Sequence, residues 1–253
     1  MSHIIKNDTG PDEWNCLKSF TEARIALGRT GVSVPLKESL RFKLAHAHAR
    51  DAVYSVLDTD ALVSELQKEH LECCIACSEA ENREVYLQRP DLGRVLTEGS
   101  AVRLQKIASV PVDIALIMAD GLSATAVNRN AAAVAIPFIR LAREHGLTIA
   151  PVVLAEQARV AIADEIGFIL RAKLSVILIG ERPGLSASDS LGAYITFNPQ
   201  SGYTDERRNC ISNIREQGMK PSTAAGKILN LALRALKLKI SGVHLKDNDG
   251  VLP

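Results

Sequence analysis

The chain has 253 residues, 47% of them hydrophobic and only 4% aromatic, with 30 Lys and Arg against 29 Asp and Glu for a net charge of +1. That content of Ala, Leu, Ile and Val supports a sizeable core and argues against global disorder and against a β-sandwich. The even charge balance gives no reason to expect nucleic acid or an anionic membrane as partner, and no apolar run approaches the roughly 18 residues of a membrane span.

The N-terminus, MSHIIKNDTGPDEW, lacks the basic start and apolar core of a secretory signal. Five cysteines, an odd number without an export signal, point to reduced thiols in the cytosol. Residues 1–15 are polar and broken by Gly10-Pro11, and are expected to be loose. Ser19 to Leu27 reads as a first short helix ended by Gly28 and Gly31. Pro35 suits the first turn of a longer helix, along which Leu36, Leu40, Leu44 and Ala47 recur at helical spacing, running on toward Leu57. Asp58 offers a cap for a helix over Ala61 to Gln67. Leu71 to Ala76 and Arg83 to Leu87 read as two strands of a hairpin, so residues 1–100 form a small, mainly helical domain with a hairpin.

Residues 101–253 alternate. Strands are expected at Val112 to Met118, Thr148 to Leu154 and Leu174 to Ile179, with helices at Thr125 to Glu144, Gln157 to Leu170 and, briefly, Ser186 to Leu191. Ala193 to Phe197 and Cys210 to Ile214 read as further strands, and Pro221 to Lys239 as a closing helix. Alternation of this kind predicts an α/β fold: a Rossmann-like, mostly parallel sheet with helices on both faces.

The densest stretch is SVILIGERPGL, Ser175 to Leu185. Its unbroken apolar run suits a strand covered on both faces, and it passes directly into Gly180-Glu181-Arg182-Pro183-Gly184. Ligands of open α/β sheets bind beyond the carboxyl ends of strands, so this loop and Asp120-Gly121-Leu122-Ser123 are candidate ligand loops at one edge. The plainer alternatives are a solvated turn and, for Ser123, a helix cap.

Several motifs are missing. There is no Gly-x-Gly, no P-loop and no complete hydrolase elbow. Cys74 and Cys77 form one Cys-x-x-Cys, with Cys73 and His70 close by, but no second ligand pair stands out, so packing in the hairpin is the better account. His46 and His48 are two apart on a helix and cannot face one ligand together. Arg41, Arg50 and His46 could meet a partner subunit, or form a solvated face.

Taken together, these stretches resemble the small subunit of ethanolamine ammonia-lyase. The resemblance rests on Gly28-Arg29-Thr30-Gly31, Leu40-Arg41-Phe42 with His46, Tyr86 to Gly93, Asp120 to Ser123, Gly180 to Leu185, Ser190-Leu191 and Cys210 to Ile214, and spans residues 20–242. It implies a hetero-oligomer with a large subunit, a β/α barrel that holds ethanolamine. Adenosylcobalamin would lie between the subunits, and its radical chemistry would yield acetaldehyde and ammonia. This chain would hold the lower face and nucleotide tail, with no catalytic side chain and no metal ligand of its own. Three cofactor contacts carry over: Val160 as an apolar contact, Glu181 as an acceptor for amides or hydroxyls, and Cys210 packed on the tail. The implied location is the bacterial cytoplasm, or the lumen of a bacterial microcompartment, although the polar N-terminus lacks an amphipathic packaging helix. None of the six histidines has an aspartate two residues before it, so the Asp-x-His-x-x-Gly motif is absent and the cofactor's own base is expected to stay on cobalt. The competing readings are a free-standing nucleotide-binding α/β enzyme, which would need a phosphate loop, and a purely structural assembly subunit.

Overall fold

The computed structural model describes residues 12–21 and 23–246, so the expectation for residues 1–11 lies outside it. Six strands, β1 (Cys73–Cys77), β2 (Val112–Ala119), β3 (Val152–Glu156), β4 (Ala172–Gly180), β5 (Leu191–Phe197) and β6 (Arg208–Ile214), form one sheet in the order β1-β3-β2-β4-β5-β6. The first four in that order are parallel, while β5 is antiparallel to both of its neighbours, β4 and β6. The expected mostly parallel sheet is therefore a mixed one. The reason lies in the connections: residues 181–190 and 198–207 hold no α-helix, and a parallel return needs a crossover of about a dozen residues or more.

The helices are α1 (Leu36–Val53), α2 (Thr59–Lys68), α3 (Arg83–Gln88), α4 (Glu98–Ile107), α5 (Ala124–Glu144), α6 (Ile162–Ile169) and α7 (Pro221–Leu238). They cover both faces. Ile114, Leu116 and Met118 of β2, with Leu174, Val176 and Leu178 of β4, pack under α2, α5 and α7. Ala115, Ile117 and Ala119, with Ile177 and Ile179, pack under α4 and α6. Period-two alternation between two covered faces is why these strands read as continuous apolar runs; Lys173 alone in β4 is exposed.

Several expectations need correction. Ser19 to Leu27 is not a helix; a 3-10 turn at Glu13–Ser19 is capped by Asp12, and Ala26 stands at φ +50°. The hairpin does not form. Its first half is β1, which pairs with β3, so the first hundred residues contribute a strand to the common sheet. Its second half is α3, started by Asn82, whose side chain accepts the Val85 N–H at 3.0 Å. Ser186 to Ser190 is bend and coil, not helix. β3 starts late because the Thr148 N–H and hydroxyl turn aside to the Asp113 carboxylate, at 2.9 and 2.8 Å. α6 also starts late, leaving residues 157–161 as a loop.

Candidate functional site

β2 and β4 are parallel neighbours, so the loops that follow them meet at one edge. The fit is tight. A Cβ on Gly121, which has φ +56°, would lie 2.2 Å from the Gly180 carbonyl oxygen, and one on Gly180 would lie 2.0 Å from that of Ser123. Only glycine allows this approach. The Leu122 N–H donates to Gly180 O at 2.9 Å. Ser123 caps α5 by accepting the Ala126 N–H, and its hydroxyl donates to Ser188 O at 2.8 Å, which ties the helix start to the loop after β4.

Asp120, which is 3% exposed, is the staple of this edge. Its carboxylate accepts the N–H groups of Gly121, Gln157 and Ala158 at 2.9, 2.8 and 2.9 Å, with Arg83 at 3.5 Å. Burial outweighs these donors and lifts its pKa to about 6. This half of the candidate loop is thus structural, and the ligand-facing groups lie beside it.

Between the loops opens a cleft of about 390 Å³, lined by Leu122, Val160, Ile179, Glu181 and Tyr194 among others. Val160 projects from the loop ahead of α6 and is half-buried. Glu181 Oε2 accepts from the Ser190 hydroxyl and from the Asn213 N–H at 3.2 Å; among the described residues no hydrogen bond reaches Oε1. Gly192 leaves room for this carboxylate, since a Cβ there would come within 3.1 Å of it. Val160 and Glu181 therefore share one cleft. Cys210 is not on its lining; it sits one strand out, in register with Tyr194. Cys210 is exposed as a residue, yet burial of the thiol raises its pKa, with the Tyr194 hydroxyl pulling the other way and the Glu181 charge adding to the rise.

A larger hollow of about 520 Å³ near Tyr203 and Arg208 is backed by the buried Arg208–Asp164 ion pair, in which Asp164 Oδ1 and Arg208 Nε have no hydrogen-bond partner among the described residues. Cys73 and Cys74 face opposite cores from the edge strand. Among the described residues no group of three or more His, Cys, Asp or Glu could hold a metal ion, and no helix is long and apolar enough to cross a membrane.

Sequence reasoning missed Tyr86 and Arg159 as site residues. Both line the cleft, and Tyr86 is fully buried, with the guanidinium groups of Arg83 and Arg159 over its ring at 4.6 and 4.1 Å from the centroid. The available signal was the placement of Arg159 immediately before Val160; its partner Tyr86 lay in the misread hairpin.

Fold and cleft define an α/β protein with an open, partly apolar cleft at the carboxyl edge of its parallel strands. The chain belongs to the ethanolamine ammonia-lyase light chain (EutC) family, whose model matches residues 11–246. It is 50% identical over 250 residues to the ethanolamine ammonia-lyase small subunit of Pseudomonas aeruginosa, covering 96% of this chain and 90% of that one. Identity to the small subunits of Pseudomonas putida and Pseudomonas fluorescens is 48% over 250 residues, covering 98% and 96% of this chain and 91% and 89% of theirs.

Proposed function

We propose that this chain is the small subunit of an adenosylcobalamin-dependent ethanolamine ammonia-lyase, and that its cleft holds the lower face and nucleotide tail of the cofactor against a large catalytic subunit. The observation that carries this reading is Glu181. One carboxylate oxygen is held by Ser190 and Asn213 while the other is left as an acceptor, in a cleft whose other walls include Leu122, Val160 and Ile179. A corrin ring rimmed with amide side chains offers apolar surface and N–H donors together, which matches that set. When bound, the cofactor would supply the radical chemistry; the residues of this chain bind and orient it. The cleft is too small and open to enclose so large a molecule, so the remaining contacts belong to the large subunit, and the complete site exists only in the hetero-oligomer.

Among the described residues no histidine lines the cleft. His46 and His48 stand on α1, while His70 and His145 lie toward the opposite edge of the sheet, ahead of β1 and β3. This supports retention of the cofactor's own base on cobalt. Cys210, beside Tyr194, would pack at the margin of the tail.

The test is reconstitution with the large subunit. The chain alone is expected to show no turnover of ethanolamine. In the complex, Glu181→Ala should weaken cofactor affinity about tenfold or more, the loss of one hydrogen bond to a charged acceptor, with turnover at saturating cofactor retained. Heavy-nitrogen histidine in this chain alone should leave the cobalt(II) hyperfine pattern unchanged. Unaltered affinity in Glu181→Ala, or a changed hyperfine pattern, would refute the corresponding role.

A further inference from the structure

The first three residues of the loop that carries Val160, Gln157 to Arg159, are held through their backbone by groups from other elements, and Val160 O accepts the Ala163 N–H of α6 at 3.2 Å. The Asp120 carboxylate takes the N–H groups of Gln157 and Ala158. The Ser78 hydroxyl donates to Gln157 O at 2.6 Å, and the Tyr86 hydroxyl donates to Ala158 O at 3.2 Å. The Arg159 N–H donates to Gly93 O at 2.7 Å, and its Nη2 reaches back to Tyr86 O at 3.0 Å. Gln157 is kept at φ +51°, a conformation that favours glycine. Arg83 also lies over the Tyr86 ring, its Nε donating to Val53 O at 2.6 Å. Packing is equally close: a Cβ on Gly93 would lie 2.9 Å from Arg159 Cγ and 3.1 Å from Tyr86 Cδ2. Two buried donors, Arg83 Nη2 and Arg159 Nε, have no acceptor. For stability alone that is an expensive way to fill space, and what the stack delivers is a fixed backbone at Ala158 and Arg159, immediately before Val160.

We infer that Arg159 and Tyr86 are positioning residues for the cofactor cleft: the Arg83–Tyr86–Arg159 stack, braced by Gly93, sets the place of Val160 and so couples residues 78–93 to ligand affinity. The inference rests on the proposed role of the cleft in holding the cofactor. It requires no contact between Arg159 and the ligand; the arginine acts through the loop it belongs to.

The experiment uses the complex of both subunits and hydroxocobalamin as the probe, with binding read from the visible spectrum and the melting temperature of each variant recorded. Arg159→Met and Tyr86→Phe remove the polar ties while keeping bulk, and Gly93→Ala crowds Arg159 Cγ, Tyr86 Cδ2 and Gln157 O and so displaces the same loop without removing a polar group. All three are expected to raise the dissociation constant, Arg159→Met by about tenfold, with cofactor KM rising in parallel and kcat at saturation held within about twofold. Arg159→Lys should rescue only in part, because an ammonium cannot cover the ring and reach the Tyr86 carbonyl as a planar fork does. If Glu181→Ala weakens hydroxocobalamin binding while all three loop variants bind like the parent complex, the positioning role is overturned and the cleft reading stands. A fall in kcat with unchanged affinity overturns it as well. If the parent complex itself does not bind the corrinoid, the cleft reading fails and takes this inference with it. Should one variant not fold, the remaining two decide.

Discussion

Asp120 shows how one residue can be misread for its surroundings. After a strand and before a glycine it has the look of a ligand group, yet its two oxygens are taken up by three backbone N–H groups and Arg83. Its pKa rises from the ordinary value of 3.8 to about 6 because burial disfavours the charged form more than the donors favour it. A folded-state pKa above the unfolded one contributes stability that is fully present below the unfolded value and lost as pH rises through the folded value. The window is therefore about pH 4 to about pH 6, and the effect is on the order of 3 kcal/mol. Asp120→Asn removes the titration and, by placing an amide N–H₂ against donors, destabilises at every pH. The stability advantage of the parent chain over this variant, measured by urea unfolding, should grow as pH falls from about 7 to about 5. An advantage that stays constant or shrinks would mean that the four donors outweigh burial and keep the carboxylate in its ordinary range or below it. The same neighbourhood explains what could be read of the site beforehand. Glu181 stands in a glycine-flanked loop whose character is local, whereas Val160 comes only from the family resemblance, because its stretch, Gln157 to Leu170, reads as helix. Tyr86 and Arg159 depend on a contact across 73 residues, which no window of sequence displays.

At the scale of elements, the legible parts were those with a long period or a chemical marker. β2 and β4 announce themselves as unbroken apolar runs, α2 by its Asp58 cap, α5 by the Ser123 cap and α7 by Pro221 in its first turn. What failed was short or directional. α3 has only six residues, too few to separate period 3.6 from period 2, and its Asn82 cap was the overlooked sign. The antiparallel turn of β5 was implied by the connection from β4, which is too short for a crossover once Ser186 to Ser190 is not taken as helix. The meeting of the β2 and β4 loops has a direct test. Gly180→Ala places a Cβ against the Ser123 and Asp120 carbonyl oxygens, at 2.0 and 2.5 Å, where backbone and not a flexible side chain must give way. The expected loss is about 3 kcal/mol or more. In urea unfolding, a variant within about 1 kcal/mol of the parent would show that the two loops can separate at little expense.

On the whole molecule the apolar surface is distributed unevenly. The sheet and its helices bury their side chains, whereas the described residues before Leu57 bury few. α1 buries only Ala49 and Ala52, and the leucines that recur at helical spacing stand in solvent, with Leu36 74% exposed, Leu40 55% and Leu44 58%. Phe42 is also exposed, stacked on His46 with Arg24 4.9 Å above its ring. The segment is tied to the body just beyond α1, where Asn128 accepts the Asp58 N–H and donates to Val56 O, both at 3.0 Å. An anchored helix with its apolar stripe outward is the form of an element completed by another chain. Between residues 23 and 53 there are six arginines and lysines against two acids, although the whole chain is nearly neutral. A partner surface that combines an apolar groove with carboxylates at its rim would match both features, and the large subunit of the proposed complex is the partner to which we assign it. Leu40→Glu with Leu44→Glu should then leave the melting temperature of the isolated chain within a few degrees of the parent, since neither side chain belongs to its core. Assembly with the large subunit, followed by sedimentation, should weaken by about thirtyfold or more, as for loss of a central hot spot. Raised salt should weaken the parent complex in the same direction by screening the basic residues. Unchanged assembly by the double variant would move the interface elsewhere on the chain and leave the exposure of α1 without this explanation.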